Sequence, residues 1–275
     1  MKKSFIVKSD NTLKDNVILS FSKKYYRFLK NSNVVYYLNN IQIRPHEMVK
    51  TGDLIEFEFD DRIQKNENLF EYKLDIVFEN DDFIVINKPS GLNTIPSRKD
   101  PVKSLYNALY TYLKSNNKLN TIHIITRLDK LTSGLVLCAL NKETALYMNK
   151  NHTNMNKLYY AMVKGKLKDD EVFIEKPIKK SEDSMKRIIS EDGAYSKTLV
   201  NVVKRYEDKT LCEVKLFTGR THQIRLHLSS IGYPIFGDNL YSNDDGNLML
   251  CCKSLEFENR DGLKYSFNIL PCWKD

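Results

Sequence analysis

Residues 134–140 read GLVLCAL, an apolar run that no charge interrupts. It is far shorter than the roughly 20 residues that cross a bilayer, so it reads as a strand buried in a sheet. Strand-like runs and turn signals alternate around it. LDIVFENDDFIVINKPSGL (74–92) holds two strand-like runs around the acidic turn Asn80-Asp81-Asp82 before Lys88-Pro89-Ser90-Gly91 breaks the chain, and LYYAMVKG (158–165) follows. SKTLVNVVKRYE (196–207) and TLCEVKLF (210–217) are joined by Asp208-Lys209, a hairpin-like turn, and NLMLCCKSLEFEN (247–259) closes with another strand pair. Helical segments lie between. Ser104 to Lys114 carries Leu105, Leu109 and Leu113 on one face, Asn141 stands at an N-cap position, and THQIRLHLSSIG (221–232) ends in Gly232. Hairpins with interspersed helices predict an α+β domain around a mixed, mostly antiparallel sheet.

The first 65 residues read as a separate small domain. Thr12-Leu13-Lys14-Asp15 fits a capping box. Leu13, Val17, Phe21 and Tyr25 recur every four residues, as one helix would require. Alternatively, Ser22 caps a second helix holding Tyr25, Phe28 and Leu29. Lys23, Arg27 and Lys30 then share one basic face, a pattern that a solvated helix surface also produces. VVYYLNNIQI (34–43) turns at Asn39-Asn40, and Thr51-Gly52-Asp53 leads into the alternating strand LIEFEF. The expected order is two helices followed by short strands. The polar stretch 60–72 contains neither Gly nor Pro. It places a linker at 66–72 and a second domain at 73–275.

With 43 basic and 35 acidic residues, the net charge is +8, which favours a polyanionic partner. The opening MKKSFIVKSDN is too short in apolar residues for a secretory signal, and no run is long enough for a membrane span. Five cysteines without a C-x-x-C pair read as reduced thiols of a cytoplasmic protein. The absence of GxGxxG and GxxxxGK[ST] weakens dinucleotide, methyl-donor and nucleotide-triphosphatase readings.

Three segments could carry chemistry. TRLDKLTSGL (126–135) sets Arg127 two residues before Asp129 in a turn; taken alone, such a pair is most often a surface contact. TGRTHQIRLHL (218–228) opens with Gly219 and Arg220 ahead of a helix on which His222, Arg225 and Ser229 form a polar, basic face. Arg220 and Arg225 at a helix N-terminus suit an anion. His222 and His227 are five residues apart, about 140° around a helix, and cannot readily share a metal ion. In KLYYAMVKG (157–165), Tyr159, Ala161 and Val163 share one strand face, and a tyrosine there is more often core than catalytic.

These three segments, followed by GYPIFGDNLY (232–241) and preceded by FENDDFIVINKPSGL (78–92), resemble in order and spacing the signature blocks of the RluA-type pseudouridine synthases. The first 65 residues resemble the α-L RNA-binding domain found in front of many members. Three departures stand out. Thr126 replaces the usual His before Arg-Leu-Asp, NSNVVYYLNNIQI lacks a glycine common before its strand, and Cys251-Cys252 stand where His-Ala is frequent.

The resemblance implies isomerisation of uridine to pseudouridine within RNA, with no cofactor and no metal. Asp129 would be the essential carboxylate, acting either as nucleophile or as the base that takes a ribose proton. Arg220 would pair with it, Tyr159 would stack on the target base, and Arg127 would touch the RNA where the uridine leaves its stack. His222, Arg225 and the Lys23, Arg27, Lys30 face would bind RNA. Large-subunit ribosomal RNA is the expected substrate and transfer RNA the alternative, for a cytoplasmic monomer. A non-catalytic RNA-binding relative is the competing class, disfavoured because Asp129, Tyr159 and Arg220 all stand in place.

Overall fold

In the computed structural model, which describes residues 2–30, 34–59, 68–118, 121–182, 186–271 and 273, the Thr12 side chain caps the first helix. Its hydroxyl accepts from Asp15 N at 3.2 Å and donates to the Asp15 carboxylate at 2.6 Å. The chain divides into two compact units, Met1–Glu67 and Asn68–Asp275.

The first unit runs β1 (Lys2–Ile6), β2 (Asn11–Thr12), α1 (Leu13–Ser20), α2 (Lys23–Lys30), β3 (Val35–Leu38), β4 (Ile41–Ile43), β5 (Met48–Val49) and β6 (Leu54–Glu58). Two helices form rather than one, because Ser22 Oγ accepts from Tyr25 N and restarts the ladder. Strand β1 precedes the helices, which the sequence reading did not foresee; it pairs antiparallel with β6, giving the sheet order β1-β6-β3-β4. Asn39 and Asn40 both take positive φ (51° and 64°), the geometry of a tight hairpin turn. Buried Leu13, Val17, Leu29, Ile55 and Phe57 make the core. The side chain of Phe28 lies outside the described residues.

The second unit runs β7 (Ile76–Glu79), β8 (Phe83–Lys88), α3 (Leu105–Ser115), β9 (His123–Ile124), β10 (Ser133–Ala139), α4 (Lys142–Lys150), β11 (Asn156–Lys164), β12 (Glu171–Glu175), β13 (Ile178–Lys180), β14 (Arg187–Ile189), β15 (Lys197–Arg205), β16 (Lys209–Leu216), α5 (Gln223–Ser230), β17 (Leu250–Glu258) and β18 (Lys264–Asn268). Its main sheet is ordered β12-β15-β16-β11-β17-β10-β8-β7, with β18 beside β17 and β9 beside β10. Among the described strands of this sheet only β10 and β17 pair in parallel, so the sheet is mixed and mostly antiparallel. Ser104 caps α3 by accepting from Asn107 N, and Leu105, Leu109 and Leu113 are buried beneath it. Each such leucine contributes about 1.5–3 kcal/mol.

The expected linker is shorter at its far end. Its first part, 66–67, lies outside the described residues. Residues 68–72 belong to the second unit, where Phe70 N donates to Thr111 Oγ1 at 2.9 Å and Asn68 Nδ2 to the Pro101 carbonyl at 3.2 Å. Those bonds give the polar stretch partners that its composition did not reveal.

Candidate active site

The turn carrying Asp129 is built by the loop that follows β8. Thr94 Oγ1 donates to the Leu128 carbonyl at 2.7 Å and accepts from Leu128 N at 3.2 Å. Ser90 Oγ donates to Leu131 O, and Gly91 N to Lys130 O. At the centre lies Lys88, fully buried, whose Nζ donates to the carbonyls of Pro89 (2.8 Å), Leu92 (2.9 Å) and Lys130 (3.3 Å). Burial pulls its pKa down to about 7, against the opposing attraction of Asp129. Thr126, in place of the family histidine, is buried, and its hydroxyl accepts from Leu137 N at 2.9 Å, so this end of the turn is fastened to β10. The other end is fastened through Gly134. A Cβ there would sit 2.3 Å from the carbonyl oxygen of Cys252, and φ is +112°, so only glycine lets β10 lie against β17.

Asp129 opens into a cleft of about 650 Å³ shared with Tyr159 of β11 and the segment before α5. Among the described residues lining it, Asp129 is the one carboxylate; Arg127, Lys130, Lys157 and Arg220 also face it. Its charge is felt from three sides, opposing the depressed pKa values of Lys88 and His222 and helping to raise that of Tyr159. Tyr159 is buried, which pushes its hydroxyl well above the usual range, and it lies opposite Cys252 on β17. Cys251 and Cys252 are both buried; burial pushes the Cys252 thiol up to about 12. Cys272 lies outside the described residues.

The segment before α5 departs from expectation. The helix begins at Gln223, one residue past His222, which takes a left-handed φ of 58° at the cap. Arg225 lines the back of the cleft, but its guanidinium is turned into the protein. It is 4% exposed and grips the fully buried Asp238 through two bonds, Nε to Oδ2 at 2.8 Å and Nη2 to Oδ1 at 2.6 Å. Burial raises the Asp238 pKa, but the Arg225 bonds and charge, together with the Leu240 and Tyr241 amides, hold the group below its ordinary value. The polar face drawn from spacing is therefore split: Arg225 is internal, as are all residues from Gln223 to Leu228, while His222 and Ser229 are half-buried. His227 shows the same inversion, bonding Thr198 Oγ1 at 2.8 Å and the Lys176 carbonyl at 3.0 Å.

Arg220 is exposed on the cleft rim, and the expected pairing with Asp129 is absent. Its Nε donates instead to the Tyr195 carbonyl at 3.3 Å, which draws the guanidinium toward the loop before β15. Buried Gln223 fixes its backbone: Oε1 accepts from Arg220 N at 3.0 Å and from Thr218 Oγ1 at 2.9 Å. His222 lines the cleft with Nδ1 3.1 Å from the Tyr241 hydroxyl, and burial lowers its pKa. Arg127 is exposed and lines the cleft; Lys23, Arg27 and Lys30 are exposed on α2 of the first unit.

Sequence reasoning missed Lys88, Gln223 and Lys157. Lys88 stands in the quoted Asn-Lys-Pro, where a lysine between an apolar strand and a proline was itself a signal. Gln223 and Lys157 lay inside quoted blocks, but what they touch depends on tertiary structure. Lys157 lines the cleft, partly buried, and burial lowers its pKa.

The family model for RNA pseudouridylate synthase matches residues 82–230. The dual-specificity RNA pseudouridine synthase RluA of Vibrio parahaemolyticus is 34% identical over 183 residues, covering 63% of this chain and 71% of that protein. Ribosomal large subunit pseudouridine synthase D of Pseudomonas aeruginosa is 32% identical over 202 residues, covering 72% and 63%. The structure of human RNA pseudouridylate synthase domain containing 1 superposes with a TM-score of 0.61 at 23% identity, covering 72% of this chain and 84% of that one, a likeness of fold. With its Asp129 turn, Tyr159 strand and Arg220 rim gathered about one cleft, the chain belongs to the RluA-type RNA pseudouridine synthases, isomerases that act on uridine in RNA.

Proposed function

We propose that this protein converts uridine to pseudouridine at a defined position in structured large-subunit ribosomal RNA, working in the cytoplasm as a monomer. The observation that carries the reading is the single carboxylate among the described cleft residues, ringed by Arg127, Lys130, Lys157 and Arg220. A polyanion meets cations at the mouth, and one acid waits inside. The reaction cleaves the bond between N1 and C1′, turns the uracil and rejoins it through C5. Asp129 serves as nucleophile or as the base that takes a ribose proton. The Tyr159 ring stacks on the uracil, and Arg127 holds the strand it left. Extruding a nucleotide costs a few kcal/mol, and stacking at about 1–3 kcal/mol per base offsets it. Arg220 and His222 meet the RNA on the opposite wall. Arg225, at the back of the same cleft, is held by Asp238 and braces that wall.

The likeness to the Pseudomonas ribosomal large subunit pseudouridine synthase supports the ribosomal target. The test is pseudouridine mapping across total RNA from cells with and without the protein. Loss of a large-subunit site is expected. Loss confined to transfer RNA would replace the target and keep the reaction.

A further inference from the structure

Phe173 on β12 and Phe217 just past β16 are 52% and 51% exposed, with ring centroids 6.4 Å apart. Tyr195, before β15, is 56% exposed. Phenylalanine gains nothing polar from water, and neighbouring exposed rings with a polar rim mark a contact surface. The strand register explains the grouping. Leu199 lies opposite both Phe173 and Lys215, and Lys197 lies opposite Glu175, so these side chains share one face. Val172, Val200 and Val214 point to the other side, against the core.

Charge accompanies the rings. Lys197 Nζ stands 5.1 Å from the Phe173 centroid and 5.6 Å from that of Phe217, and Lys215 Nζ is 5.7 Å from Phe217. Glu175 is engaged by Lys197 and by the Tyr195 hydroxyl at 3.2 Å, which leaves the surface positive. The surface also meets the cleft. The Tyr195 carbonyl accepts from Arg220 Nε, and Thr218 Oγ1 accepts from Lys197 N at 3.0 Å, so the turn that presents Arg220 is bonded to both.

We propose that Phe173, Phe217 and Tyr195, with Lys197 and Lys215, form a stacking platform for unpaired nucleotides flanking the target uridine. The proposal rests on the RNA-substrate reading above. Any base presents a π-face to an aromatic ring, and lysines beside the rings meet the connecting phosphates. A protein partner would use the exposed rings but would have no need for the continuity with Arg220.

The test uses the full chain and a short fluorescein-labelled single-stranded oligouridylate. Phe173→Ala with Phe217→Ala should weaken binding at least about fivefold, with an unchanged salt slope and melting temperature. Phe173→Tyr with Phe217→Tyr should restore it. Lys197→Gln with Lys215→Gln should flatten the salt slope by up to about 0.7 per lysine. A 5-iodouridine oligonucleotide should cross-link to peptides carrying these rings. Binding by the alanine pair within about twofold of wild type overturns the platform and leaves the surface to a protein. Pseudouridine formation in total RNA is read in parallel. If the wild type modifies no RNA, the substrate reading fails; if it does while the alanine pair binds normally, only the platform fails.

Discussion

Segments 126–134 and 218–228 look alike in sequence, each a turn with arginine and hydroxyl residues, yet the fold treats their charges oppositely. The first is a loop anchored by backbone carbonyls and amides, and its Asp129 and Arg127 face the cleft. The second becomes a helix buried on every side, and its Arg225 turns inward to Asp238. A loop satisfies its backbone and leaves its side chains to function, whereas a covered helix spends its polar side chains on structure. Two arginines five residues apart, Arg220 and Arg225, thus belong to different categories of work.

The largest break in that contrast is Asp129→Asn. It should abolish pseudouridine formation under single-turnover conditions while the melting temperature stays put; substantial product would falsify the assignment. Arg225→Leu should act through stability instead, costing about 3–5 kcal/mol because Asp238 is left buried and unpaired, which a denaturant midpoint reads. Arg220→Ala should do the reverse, with stability within about 0.5 kcal/mol and a lower rate on RNA. Equal destabilisation by the two arginine variants would erase the distinction.

Lys88 sharpens it further. Lys88→Met removes three hydrogen bonds from the Asp129 frame, and each orphaned carbonyl costs about 1–3 kcal/mol; turnover should fall with stability. The pH dependence has a definite sign. The folded pKa of about 7 lies below the unfolded lysine value of 10.5, so between them the unfolded chain binds the extra proton and stability rises with pH. Relative to Lys88→Met, the wild type should gain up to about 1.4 kcal/mol per pH unit above 7. A flat difference from pH 7 to 9 would show that this lysine keeps its proton. The smallest effect concerns the first unit. Lys23→Gln, Arg27→Gln and Lys30→Gln together should lessen the salt slope of RNA binding by at most about 2 units at ~0.7 per contact, without changing the saturated rate.

The strand–helix pattern of the second unit was legible because its caps and apolar periods are local. Ser104, Asn141 and the leucines of α3 need no distant partner to declare themselves. Strand β1 was not legible, since Lys2–Ile6 becomes a strand only by meeting β6 more than forty residues on. The cleft divides the same way. Asp129 and Tyr159 announced themselves through motif blocks, but the buried state of Arg225 depends on Asp238, thirteen residues beyond it. Helical spacing showed which side chains shared a face; it carried no information on whether water reached that face.

The parallel contact at Gly134 has a consequence in time. Ser133 Oγ donates to the Leu250 carbonyl, 117 residues later, and Ser133 and Gly134 pair with Cys251 and Cys252. Contacts of such long sequence separation form late, because a long loop must close first. During synthesis the strand that clamps the end of the Asp129 turn emerges more than a hundred residues after the turn itself. Until those residues have been made and folded back, the far end of the Asp129 turn has no partner strand to lie against.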